Sequence, residues 1–145
     1  MPRFTPTQTI TPTQTITPTQ RTAMIGDAAV LVLLTVVGFA THATLDAVGR
    51  FLVTALSGLL AWAAVAPFLG VYEEATIDSP GGIWRVAWAW LLAAPLATFL
   101  RGMALDRDIP WVFVLVTILV NGFGLVAWRI GLGWTRARRA RLRAG

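Results

Sequence analysis

The sequence predicts an all-α fold: an integral membrane four-helix bundle with a disordered N-terminal tail. Three observations lead there. Four apolar runs of spanning length fill the stretch from Ile25 to Trp128, and a helix needs about 20 such residues to cross roughly 30 Å of hydrocarbon. Hydrophobic residues make up 56% of the 145 positions and charged ones only 13%, against roughly a quarter charged in water-soluble domains. Short polar turns separate the runs, which leaves no length for a separate soluble catalytic domain.

The first 24 residues are of a different kind. TPTQTI at 5–10 recurs at 11–16, and TPTQ follows at 17–20. This Thr/Pro/Gln-rich array has no apolar face to bury, so 1–24 reads as a flexible, partly polyproline-like tail. It lacks a secretory-signal pattern, because the first apolar run is too long for a signal core and no small-residue cleavage site ends it. The spans are predicted at about 25–45, 51–72, 83–100 and 109–128, within one domain at 25–134, with 135–145 as a basic tail. Turn chemistry agrees with these divisions: Gly49 lies between the first two, Pro80 and two glycines between the next two, and Asp106 and Asp108 precede Pro110. Pro95 falls inside the third span, where loss of a helix hydrogen bond predicts a kink.

Arginine supplies every basic side chain. With four spans, the N-terminal tail, the second loop and the C-terminus share a side. That side carries Arg3, Arg21, Arg85, Arg129, Arg136, Arg138, Arg139, Arg141 and Arg143, against Arg50, Arg101 and Arg107 opposite. The positive-inside rule then predicts a cell (inner) membrane protein with both termini cytoplasmic. Net charge is +5, and the run Arg136, Arg138, Arg139, Arg141 and Arg143 looks like a nucleic-acid patch in isolation. Directly after a span, it reads instead as a contact for anionic lipid headgroups.

Helical geometry sorts the remaining polar and small residues. Asp27, Thr35, Gly38 and His42 fall on one face of the first span. Ala89, Ala93 and Ala97 form a small-residue seam on the third, while Phe113, Thr117, Asn121, Gly124 and Trp128 cluster on the fourth. Gly38, the three alanines and Gly124 read as helix-packing positions, with Asn121 as an interhelical hydrogen-bonding group. A charge within hydrocarbon needs a partner, water or a nearby interface. Depth pairs Asp27 with Arg85 in an inner layer and His42 with Arg101 in an outer one, where Arg101 also reaches toward Asp106 or Asp108. Interfacial snorkelling is the alternative for Arg101 and Arg129. Trp84, Trp88, Trp90, Trp111, Trp128 and Trp134 read as aromatic belts, although Trp84 and Trp88 share a face on which a flat lipid-soluble molecule could stack.

The order of these residues resembles a family of small four-span prokaryotic membrane proteins, the domain of unknown function 3054. The resemblance runs from about Gly26 to Ile130. It rests on Asp27, Gly38 and His42, on Pro67-Phe68-Leu69-Gly70, on Trp84-Arg85, on Arg101, and on Pro110, Phe113 and Trp128-Arg129. The chain departs from the family pattern at Phe39, Ala40 and Thr41, where basic residues are usual, and at Val71, where a Trp is more typical. What the resemblance implies is an integral membrane fold, without an activity.

Inventory argues against an enzyme. Cys is absent, His42 is the single histidine, and no nucleophile sits near a base, no metal-ligand spacing occurs and no phosphate loop is present. Glu73, Glu74 and Asp78 read as a solvated acidic turn. No cofactor is expected. The expected partners are membrane lipids together with other membrane-protein subunits or a second copy, and not nucleic acid. Three roles stay open: an accessory subunit packed against a larger membrane complex; a small oligomeric transporter or channel lined by the Asp27/Arg85 and His42/Arg101 layers; or a binder of a quinone, pigment or similar molecule. Water at the Asp27 and His42 face would favour transport, and dry packing there would favour partner binding.

Overall fold

The computed structural model describes residues 16–42, 48–77, 79 and 81–145. Of the disordered tail expected at 1–24, residues 1–15 lie outside the described residues. Five helices follow in order: α1 (Pro18–Thr41), α2 (Val48–Val65), a single turn α3 (Glu74–Ile77), α4 (Gly82–Leu105) and α5 (Trp111–Ala144). Among the described residues, α1, α2, α4 and α5 are each long and apolar enough to cross a membrane, so the chain is an all-α, multi-pass membrane protein.

Three boundaries correct the sequence reading, one of them the end of the second span, which falls at Val65 rather than at 72. Helix α1 starts at Pro18 rather than Ile25, inside the third TPTQ copy. Thr17 Oγ1 accepts from the Gln20 backbone N–H at 3.3 Å, and Gln20 Oε1 accepts from the Thr17 N–H at 2.9 Å. This reciprocal cap, with proline at the first helical position, satisfies donors that a helix start leaves open. At the other terminus, the expected basic tail 135–145 is a continuation of α5, whose 34 residues extend about 51 Å, far beyond one hydrocarbon thickness.

Helix α2 ends at Val65, just before Pro67, and residues 66–72 form turns in which Gly70 takes a left-handed φ of 62°. Helix α4 runs through Pro95 without a break. The four long helices pack in a ring, α1 on α2, α2 on α4, α4 on α5, and α5 back on α1. Their core is built from Ala61, Trp62, Val86, Ala89, Trp90, Ala93, Ala94 and Leu125, small residues that let helices approach and two indoles that fill what remains. Leu33, Leu60, Phe99, Leu119 and Phe123 are exposed on the outside, as a lipid-facing surface requires.

Gly124 is a close-approach position: a Cβ there would meet Leu34 Cδ1 at 2.5 Å. Gly26 is another, since a Cβ would run into the Trp128 ring. Gly38 corrects its assignment as a packing residue, because a Cβ there meets nothing within 4 Å. Trp90 departs from the belt reading as well. It is buried and donates from Nε1 to the Thr117 carbonyl at 3.2 Å, whereas Trp84 and Trp88 are exposed.

Candidate functional site

Two polar layers sit at opposite ends of the bundle, and Asp27 centres the first. Its carboxylate is fully buried and accepts hydrogen bonds at both oxygens. Arg129 donates from Nε to Oδ1 at 2.9 Å and from Nη2 to Oδ2 at 2.6 Å, the two-pronged geometry that matches guanidinium to carboxylate. Oδ2 also accepts from the Tyr72 hydroxyl at 3.0 Å and from Trp62 Nε1 at 3.3 Å, and Trp62 Nε1 donates to Tyr72 Oη at 2.8 Å. Arg129 Nη1 reaches the Val71 carbonyl at 3.5 Å. The layer therefore ties α1, α2, α5 and the 66–72 turns together. Gln20 adds a clamp, its Nε2 donating to the Tyr72 carbonyl at 3.0 Å. Burial, reinforced by the Asp27 charge, pushes the Tyr72 phenol above its ordinary range, so it remains a donor.

The expected Asp27–Arg85 contact is thus replaced by Asp27–Arg129. Arg85 turns instead to Glu73, Nη1 to Oε2 at 3.1 Å, at the surface. Both arginines lie at the same end of the bundle; α1 packs against α5, and that adjacency selects Arg129. Trp62 and Tyr72, the latter the only tyrosine in the chain, escaped the sequence reading, because a polar tip on an aromatic ring carries no spacing signal.

The second layer is an open cavity of about 260 Å³ lined by all four spanning helices. His42, Arg50 and Arg101 bring positive or titratable groups to it, and among the described residues no carboxylate lines it. Arg101 Nε donates to Thr54 Oγ1 at 2.9 Å, and its guanidinium lies 4.6 Å above the Phe113 ring. Contrary to the expected reach toward Asp106 or Asp108, Arg101 forms no ion pair among the described residues. Arg50 and Arg107 add to the positive field it feels. Deeper along α5, Asn121 lines the same cavity, and its buried Oδ1 has no hydrogen-bond partner. Eight positions separate Phe113 from Asn121, about 12 Å along a helix. The space exists because Gly38 and Gly58 carry no side chain into it.

Two indoles divide the layers. Trp90 lines the cavity, Trp62 lies against it with ring centroids 6.0 Å apart, and Trp62 hands its N–H to Asp27 and Tyr72. Among the described residues no group of His, Cys, Asp or Glu could hold a metal ion.

Fold and site together define a polytopic α-helical membrane protein with a closed ionic layer at one end and an open cationic cavity at the other. The chain belongs to the family described as protein of unknown function DUF3054, whose profile matches residues 24–132. That match takes in Asp27, Arg129 and the whole cavity. No curated protein and no solved structure matches the chain.

Proposed function

We propose that this protein binds a small amphipathic anion within the membrane, its acidic group on Arg101 and its apolar part among Leu31, Leu34, Val116 and Val120. The observation that carries this reading is a cavity between four spans with two arginines and, among the described residues, no carboxylate in its lining. Arg101 is half-buried on a spanning helix and has no ion pair among the described residues, and an anionic ligand beside it offsets the cost of a charge placed near hydrocarbon. The internally hydrogen-bonded Asp27 layer and the Trp62–Trp90 pair beside it support a receptor or carrier pocket open at one end, without covalent chemistry, over a continuous channel. By the arginine count, the arginine-rich end and both termini lie in the cytoplasm and the cavity opens on the far side of the inner membrane.

The test is equilibrium binding of decanoate, decanol and decylammonium to the purified full chain in mild detergent, followed through protein fluorescence. Decanoate is expected to bind at least about tenfold more tightly than decanol, a difference of roughly 1.4 kcal/mol. Arg101→Gln is expected to abolish that preference, and Gly58→Leu to abolish binding of all three. Equal binding of the three probes, or preference for the ammonium, would end this reading.

A further inference from the structure

Beyond Arg129, α5 carries a second cationic feature with its own geometry. Arg136, Arg139 and Arg143 recur at three- and four-residue spacing, which aligns them on one stripe, and all three line a groove with Pro18, Thr19 and Thr22 from the first turns of α1. Arg136 closes the floor, donating from Nη2 to Thr19 Oγ1 at 2.9 Å. Arg139 and Arg143 form no ion pair among the described residues. The start of α1 contributes the positive end of its helix dipole to the same place. Toward the bundle the groove changes character, its walls becoming Leu132 and Trp128.

Depth gives this gradient meaning. Trp111 and Trp134 are strongly exposed and stand about 34 Å apart along α5, close to the roughly 30 Å of hydrocarbon that aromatic belts bracket. Leu132 and Trp128 then lie on the hydrocarbon side of Trp134, and the arginine stripe starts at headgroup level and runs outward, from about 3 to about 14 Å beyond Trp134 along the helix. Arg138 and Arg141 are off the groove, Arg138 resting over the Trp134 ring at 5.9 Å. The stripe and its α1 partners also fall outside residues 24–132, so they are not part of the family match.

We propose that this groove is a binding site for one anionic phospholipid, with the phosphate held by Arg139 and Arg143 and an acyl chain laid along Leu132 and Trp128. Charge complementarity selects the headgroup, and the polar-to-apolar gradient along a single groove selects a lipid over a free anion. Only the groove arginines confer the preference; the neighbouring Arg138 and Arg141 do not.

The experiment titrates the full chain in mild detergent with phosphatidylglycerol or phosphatidylcholine of identical acyl chains and counts bound lipid by native mass spectrometry. Phosphatidylglycerol is expected to bind at least about tenfold more tightly than phosphatidylcholine. The double variant R139Q/R143Q should weaken phosphatidylglycerol by roughly 30-fold. The charge-matched R138Q/R141Q should change it by less than about threefold. Equal losses in the two double variants would reduce the effect to diffuse electrostatics and overturn the proposal. So would equal binding of the two lipids, or displacement of phosphatidylglycerol by millimolar inorganic phosphate.

Discussion

At one end of the bundle Arg129 meets a carboxylate, and both of its oxygens accept hydrogen bonds. At the other, Arg101 meets a hydroxyl and a phenyl ring, and space is left beside it. Both arginines enter from spanning helices and both lie among apolar neighbours. What separates them is neutrality and room. Asp27 cancels the charge of Arg129 while Trp62, Tyr72 and the Val71 carbonyl complete the hydrogen bonding, so the layer is saturated and can only hold the helices together. Arg101 has one hydrogen bond and a π face, so its positive potential extends into the cavity. Arg129 is buried and its partners are all internal, whereas Arg101 is half-buried and has no carboxylate partner among the described residues.

The sharpest way to break this comparison is to remove one member of the closed pair. Asp27→Asn or Arg129→Gln leaves an uncompensated buried charge and should cost about 3–5 kcal/mol, read from unfolding in a fixed detergent. The double variant D27L/R129M should recover most of that loss, because burying the ion pair carries its own desolvation penalty. A D27N protein as stable as the parent would show that the layer is not structural.

Glycines at the two ends give the next largest contrast. Gly26→Ala pushes a methyl into the rigid Trp128 ring and should cost about 1–3 kcal/mol. Gly38→Ala enters open space and should be neutral or gain up to about 1 kcal/mol through helix propensity. Thermal denaturation of the two variants side by side checks both expectations.

Alkali probes the closed end through its tyrosine. The folded pKa of Tyr72 lies above its unfolded value of about 10, so the folded state holds its proton more tightly. The stabilisation linked to that proton is complete below about pH 10 and falls as the pH rises past it, by at most about 1.4 kcal/mol per unit. With one tyrosine in the chain, ultraviolet absorbance follows the event directly: the phenolate band should appear on unfolding and not on simple titration to pH 10.

The smallest expected effect belongs to Arg85→Gln. Its pair with Glu73 has side chains 51% and 64% exposed, and such pairs contribute roughly 0–1 kcal/mol. Unfolding of R85Q within that margin, beside a large loss for R129Q, would confirm which arginine the acid selects.

Much of this architecture is legible in the residue order, because hydrocarbon admits few backbone solutions. Four apolar runs of spanning length have to be helices, and Pro110 stands directly before α5 as its turn chemistry predicts, whereas Gly49, expected in a turn, lies inside α2. His42 and Arg101 could be assigned to one layer from depth alone, and both line the cavity. A capping signal was also present and went unread: Thr17-Pro18-x-Gln20 is a helix start, masked by the low complexity of the repeats around it. The continuation of α5 into the arginine run was hidden for a similar reason, since a charge-rich stretch reads as solvated tail until its helix is seen.

By itself, then, the sequence determined the apolar surroundings, the four spanning-length helices and the order of the charges along them, all of which follow from one-dimensional spacing and the cost of bare polar groups in lipid. Which arginine Asp27 holds, which tryptophan turns inward and whether Gly38 packs tightly or borders a void were decided only by the tertiary structure. Depth orders residues along the membrane normal, whereas partnership depends on which helices are neighbours around the ring, and that angle is set by the packing of all four spans at once.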